Sequence, residues 1–156
     1  MRGIKVGLLV MAIVATSVAA GCGGSDTASK ATSTATGPAV AFVSPTANAE
    51  VSGPVTAEVK IDGFTINADH VGKAPVAGEG HVHFQMDGGK YDFPKYSGAN
   101  GDLAVKLHVD GKYSPSVTPG ITYSNLPKGE HTLKVFLVDN LHTDLGPMAE
   151  TTFTVQ

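Results

Sequence analysis

From Ala39 onward the chain is dominated by short runs in which apolar residues recur at every second position, and no window keeps the 3.6-residue period of an amphipathic helix. Side chains on a strand alternate between two faces, so each run reads as a strand with one face turned to a core. In Val55-Thr56-Ala57-Glu58-Val59-Lys60-Ile61, Val55, Ala57, Val59 and Ile61 turn inward and Thr56, Glu58 and Lys60 outward. The stretch Gly80 to Gly88 (GHVHFQMDG) sets Val82, Phe84 and Met86 on the core side and His81, His83 and Gln85 on the other, before a turn at Asp87-Gly88-Gly89. Leu103 to Val109 alternates likewise, with Leu103, Val105, Leu107 and Val109 inward and Lys106 and His108 outward. The longest run, His131 to Val138, carries Leu133, Val135 and Leu137 on one face.

Shorter strands are expected at Ala39–Val43, Ile121–Tyr123 and Thr151–Val155, with turns at Asn48-Ala49-Glu50 and Leu126-Pro127-Lys128-Gly129. Phe64 to Gly78 reads as a long loop carrying His70, and Asp139 to Pro147 as a loop carrying His142, in which Asp139 and Asp144 are solvated acids. With 19 Gly, 9 Pro and no Trp, turns are plentiful. The chain of 156 residues is sized for one domain. The expectation is all-β: one immunoglobulin-like antiparallel sandwich of seven or eight strands over residues 39–156. A net charge of −3 offers no basic stripe for phosphates, which argues against a nucleic-acid partner.

The N-terminal part has a different character. Arg2 and Lys5 precede an apolar run from Val6 to Val14, and small residues lead to Ala19-Ala20-Gly21-Cys22. So short an apolar run before a small-residue site reads as a secretory signal over residues 1–21. The Ala-Ala-Gly-Cys ending resembles the lipobox of bacterial lipoproteins, with Ala19 where Leu is usual. The resemblance implies acylation of Cys22, the one cysteine of the chain, and an exported protein held at the outer face of the cell membrane by its acyl chains. Without Arg2 and Lys5, nine basic residues face 14 acidic ones, a net charge of −5, so attraction to anionic lipid is not the anchor. After the lipidated Cys22, the Gly, Ser, Thr and Ala residues up to Pro38 lack the apolar bulk to fold and read as a disordered tether. As a coil it would span roughly 20–25 Å.

Beyond the tether, Ser44-Pro45-Thr46 and Val51-Ser52-Gly53-Pro54-Val55 look like the first strands of bacterial Ig-like surface domains. Gly80-His81-Val82-His83 with Asp87, then Leu126-Pro127-Lys128-Gly129-Glu130-His131-Thr132-Leu133, then Asp139-Asn140-Leu141-His142, resemble a family of exported bacterial domains of unknown function. That family carries a Gly-His-His-His-Leu-Leu-Ile-Asp signature, a Pro-Pro-Gly-x-His-Thr-Leu turn and strand, and an Asp-x-x-His loop. The likeness spans residues 44–155 and departs at Val82, where the family has its middle His, and at Phe84-Gln85-Met86. It implies fold and export, and no particular chemistry.

Two roles are open to the histidines. They could hydrogen-bond backbone at the sheet rim, or His81, His83 and His142 could hold copper or zinc, with His131 a possible addition. Strand length sets His131 about 23 Å from the far end of its own strand, so His131 and His142 are not expected in one site. His70 and His108 read as surface residues, Met86 as core, and Met86 and Met148 as the thioethers available to Cu(I). His81-Val82-His83 and His142-Thr143-Asp144 look superficially like pieces of copper-zinc superoxide dismutase, but that enzyme's bridging-His segment and structural cysteines are missing. No nucleophile elbow, phosphate loop or His-Glu-x-x-His motif occurs. The leading expectation is a non-catalytic binding or envelope-interaction module with an unidentified protein or glycan partner; the alternative is a copper- or zinc-binding lipoprotein.

Overall fold

The computed structural model describes residues 37–92, 102, 105, 106 and 112–156. Nine strands occur among them: β1 (Ala39–Ser44), β2 (Ala49–Val51), β3 (Val55–Asp62), β4 (Thr65–Ile66), β5 (Glu79–Met86), β6 (Ser114–Ser116), β7 (Gly120–Tyr123), β8 (Gly129–Val138) and β9 (Asp144–Val155). They form two sheets. One has the order β1-β3-β7, and the other runs β2-β9-β8-β5-β4 with β6 also paired to β5.

Val55, Ala57, Val59, Ile121 and Tyr123 of the first sheet pack with Val82, Phe84, Met86, Leu133, Val135, Leu137, Phe153 and Val155 of the second in one buried cluster. Phe42 and Phe84 touch across the layers, with ring centroids 6.5 Å apart. β3, β7 and β8 bury one face of their alternation, as their sequence requires, while β5 is buried on both faces. The all-β expectation therefore holds, and Met86 is core. A buried carboxylate, Asp92, closes one end: it accepts hydrogen bonds from the Met86 N–H (2.8 Å), the Ser114 hydroxyl (2.6 Å) and the Tyr123 hydroxyl (3.3 Å).

Several details depart from expectation. The strand count exceeds seven or eight because β2, β4 and β6 are only two or three residues long. The sandwich is not purely antiparallel, since β2 runs parallel to β9 and β4 parallel to β5. Asn48-Ala49-Glu50, expected as a turn, enters β2, and the Phe64–Gly78 loop contains β4 and a 3₁₀ turn at Ala68–His70. β9 starts at Asp144 rather than Thr151, because register pairing with β8, which sets Glu150 opposite Lys134 and Met148 opposite Phe136, carries the strand past residues of weak strand character. Of the expected strand 103–109, Val105 and Lys106 are described; both are helical and exposed, so Val105 does not face the core. The other positions of that run, His108 among them, lie outside the described residues, as do Cys22, the signal and almost all of the tether. No helix among the described residues is long and apolar enough to cross a membrane.

Candidate metal centre

His81 and His83 share the face of β5 turned away from the core, yet they are 0% and 4% exposed. Their cross-strand partners on β8 are Val138 and Phe136. The cover over this face includes the β8–β9 turn and Tyr113, whose ring stacks on His83 at 5.2 Å.

Asp139 builds that turn. Its carboxylate accepts the N–H groups of Leu141 and Thr143, both at 2.8 Å, while its own N–H donates to the Thr143 carbonyl and its carbonyl accepts from the His142 N–H. The clamp holds His142 in the left-handed region (φ 69°). Asn140 ties the turn to the start of β5, donating to the Glu79 carboxylate at 3.2 Å. Gly80 completes the approach: a Cβ there would lie 2.0 Å from the Val138 carbonyl oxygen, so only glycine lets β5 run this close to the chain that enters the turn.

The result is a convergence of three imidazoles. His81 Nε2 lies 3.2 Å from His83 Nε2, and His142 Nδ1 lies 2.9 Å from each. The His142 ring stands edge-on to His81 and stacks on His83, with centroids 4.5 and 5.1 Å away. On their far sides, His81 Nδ1 and His142 Nε2 are buried and find no partner among the described residues.

Burial pushes His81 down to about 4, assisted by the neighbouring His142 and partly offset by the Asp139 carboxylate. Burial and then the charges of His81 and His142 push His83 down to about 3. His142 is lowered by burial as well, against the opposing pull of Asp139. Burial alone would raise Asp139, but the bonds from Thr143 and Leu141 and the proximity of His142 leave it lowered, hence a carboxylate. All three imidazoles are therefore neutral at pH 7, the form that ligates metal.

Protons alone do not satisfy this arrangement. Each inward nitrogen is either an N–H or a lone pair, so among three mutually close nitrogens at least two are of the same kind and repel. A single cation satisfies all three lone pairs together. Three neutral imidazole nitrogens within bonding range of one point form a set suited to copper or zinc.

The other candidates lie elsewhere. His131 sits on the core side of β8, with Nδ1 2.7 Å from the Asp87 carboxylate and Nε2 2.8 Å from the Pro127 carbonyl, so neither nitrogen is available to the cluster. His70, expected on the surface, is half-buried and joins Glu79 and Asn67. Met148 is 45% exposed beyond Phe136, two strands from His83 and outside the cluster. Of the two acids expected in solvent, Asp139 is instead buried at the turn, while Asp144 is exposed as expected but opens β9 rather than lying in a loop, and lines a cavity of about 50 Å³ with His83, Tyr113, Phe136, Val138 and His142. The Asp-x-x-His spacing of Asp139 and His142 was the one signal that could have identified Asp139; nothing local marks Tyr113, Phe136 or Val138.

No family model and no curated protein matches the chain. Among solved structures, it is similar to a crystal structure of an engineered protein at 16% identity and a TM-score of 0.39, over 76% of this chain. The alignment spans 20% of that protein's length.

Proposed function

We propose that the domain binds one copper or zinc ion through His81, His83 and His142, as an exported lipoprotein held at the cell membrane by acyl chains on Cys22. The observation that carries this reading is the triangle of imidazole nitrogens 2.9–3.2 Å apart, an arrangement that protons leave frustrated and a cation relieves. The lipoprotein part is supported by the Ala-Ala-Gly-Cys sequence alone.

A thermal melt with and without stoichiometric Cu(II) or Zn(II) tests it. Free metal at a hundredfold excess over Kd adds about 2.7 kcal/mol, roughly 10 °C for a domain of this size. The upshift is expected in wild type and absent in a His81→Ala/His83→Ala variant; an unmoved wild-type melt refutes metal binding. Exposed Leu141, Leu145 and Met148 favour a second reading, an interaction module whose partner docks on the β8–β9 hairpin, for which the melt is indifferent to metal.

A further inference from the structure

Resting on that reading, we infer that the bound ion keeps a coordination position facing the cavity beside His83 and His142, and that this position takes an exchangeable ligand such as water or a small anion.

The nitrogen triangle requires an open side. With metal–nitrogen bonds of about 2.0–2.1 Å, nitrogens separated by 2.9–3.2 Å subtend about 90–105° at the ion. Such an ion stands roughly 1 Å out of the nitrogen plane, with all three protein ligands on one side. Cu(II) and Zn(II) both take a fourth ligand in such circumstances. Among His, Cys, Asp and Glu of the described residues, only these three side chains group as ligands at this point.

The cavity decides where that ligand goes. His83 and His142 line it, whereas His81 is fully enclosed and does not, so the accessible side of the cluster is the cavity side. Tyr113, Phe136, Val138 and Asp144 complete its lining. Its volume of about 50 Å³ has room for water or a small anion beside the two imidazoles.

The test uses the protein loaded with one equivalent of Cu(II), with uptake verified by elemental analysis. Azide is titrated while the electron paramagnetic resonance spectrum and the ligand-to-metal charge-transfer absorption are followed. The expected result is a saturable azide-dependent change in both spectra. Val138→Ile, which adds one methylene to the wall, is expected to keep the copper stoichiometry and weaken azide at least tenfold. Copper uptake without an azide response overturns the open position while leaving metal binding intact. An unaltered azide affinity in Val138→Ile overturns the assignment to this cavity. Failure to take up copper at all overturns both this inference and the reading beneath it.

Discussion

The two ends of the β5–β8 pair each bury histidine, and to nearly the same degree: His131 is 3% exposed and His83 is 4%. Their partners differ in kind. The His131 nitrogens face a carboxylate and a carbonyl, both hydrogen-bond acceptors. The same Asp87 carboxylate also accepts the Thr132 N–H at 2.8 Å, so His131 belongs to a knot that ties the 3₁₀ turn after β5 to the start of β8. At the other end, imidazole nitrogens face only one another, and two of the outer nitrogens face nothing. Burial therefore does not separate a structural histidine from a ligand. The chemistry of the atoms opposite each nitrogen does.

This contrast is sharpest in pH dependence. His81 and His83 are depressed in the folded state, to about 4 and about 3, from an ordinary 6.5. Unfolding then takes up protons below pH 6.5, so the metal-free fold loses stability as pH falls from 6.5 towards 4 and 3, by about 1.4 kcal/mol per pH unit for each imidazole. Above 6.5 the two residues contribute no slope. Urea melts between pH 7 and 4.5 are expected to show this loss in wild type and a flattened profile in His81→Ala/His83→Ala; an equal slope in both proteins breaks the argument. Glu79 and Asp139, whose carboxyls are lowered from 4.5 and 3.8, begin to lose their contribution only as pH falls through those ordinary values, at the lower end of the histidine window.

Next in size is the structural end. His131→Ala strips a buried partner from Asp87 and Pro127 and leaves a cavity beside Phe153, at a cost of about 3 kcal/mol. Equilibrium unfolding measures the loss, while metal stoichiometry in the folded fraction stays at wild type. A variant that loses metal without losing stability would reverse the assignment of the two ends.

Gly80→Ala falls between the ends, because its new Cβ meets the Val138 carbonyl and the Asp139 backbone at once. The strain is expected to cost about 1–3 kcal/mol and, by pushing the β8–β9 turn away, to weaken metal affinity at least tenfold in a competition titration. Retained affinity would mean that the turn positions His142 without this close approach.

The smallest expected stability change comes from His142→Asn. Asparagine tolerates the left-handed backbone at this position, so the metal-free melting temperature should move by no more than a few degrees. The metal-induced upshift should nevertheless vanish. Paired with His131→Ala, this completes a double dissociation: one substitution removes stability and spares binding, the other removes binding and spares stability.

Much of this architecture was legible in the alternation of residues. The inward sets Val55, Ala57, Val59 and Leu133, Val135, Leu137 follow from period-two spacing, as does the shared face of His81 and His83. What misled was local composition. Asp144 to Pro147 contains Gly and Pro and reads as loop, yet non-local pairing with β8 makes it strand. Asp139 reads as a solvated acid because carboxylates usually are, yet its four hydrogen bonds with the backbone of Leu141, His142 and Thr143 define the turn.

The chain by itself determined that the alternating runs at 55–61 and 131–138 form strands with one apolar face each, that His81 and His83 share the face of their strand opposite Val82, Phe84 and Met86, and that His142 follows the run ending at Val138. Those properties are local: they depend on spacing along the backbone. Only the tertiary structure decided that β5 lies beside β8 and that Gly80 admits the turn. It also decided that His142 meets His81 and His83 while His131, eleven positions earlier, faces the core at the opposite end. Strand order and the path of a turn arise from pairing between segments distant in sequence. A three-ligand cluster built across 61 positions inherits its geometry from that pairing rather than from any motif within it.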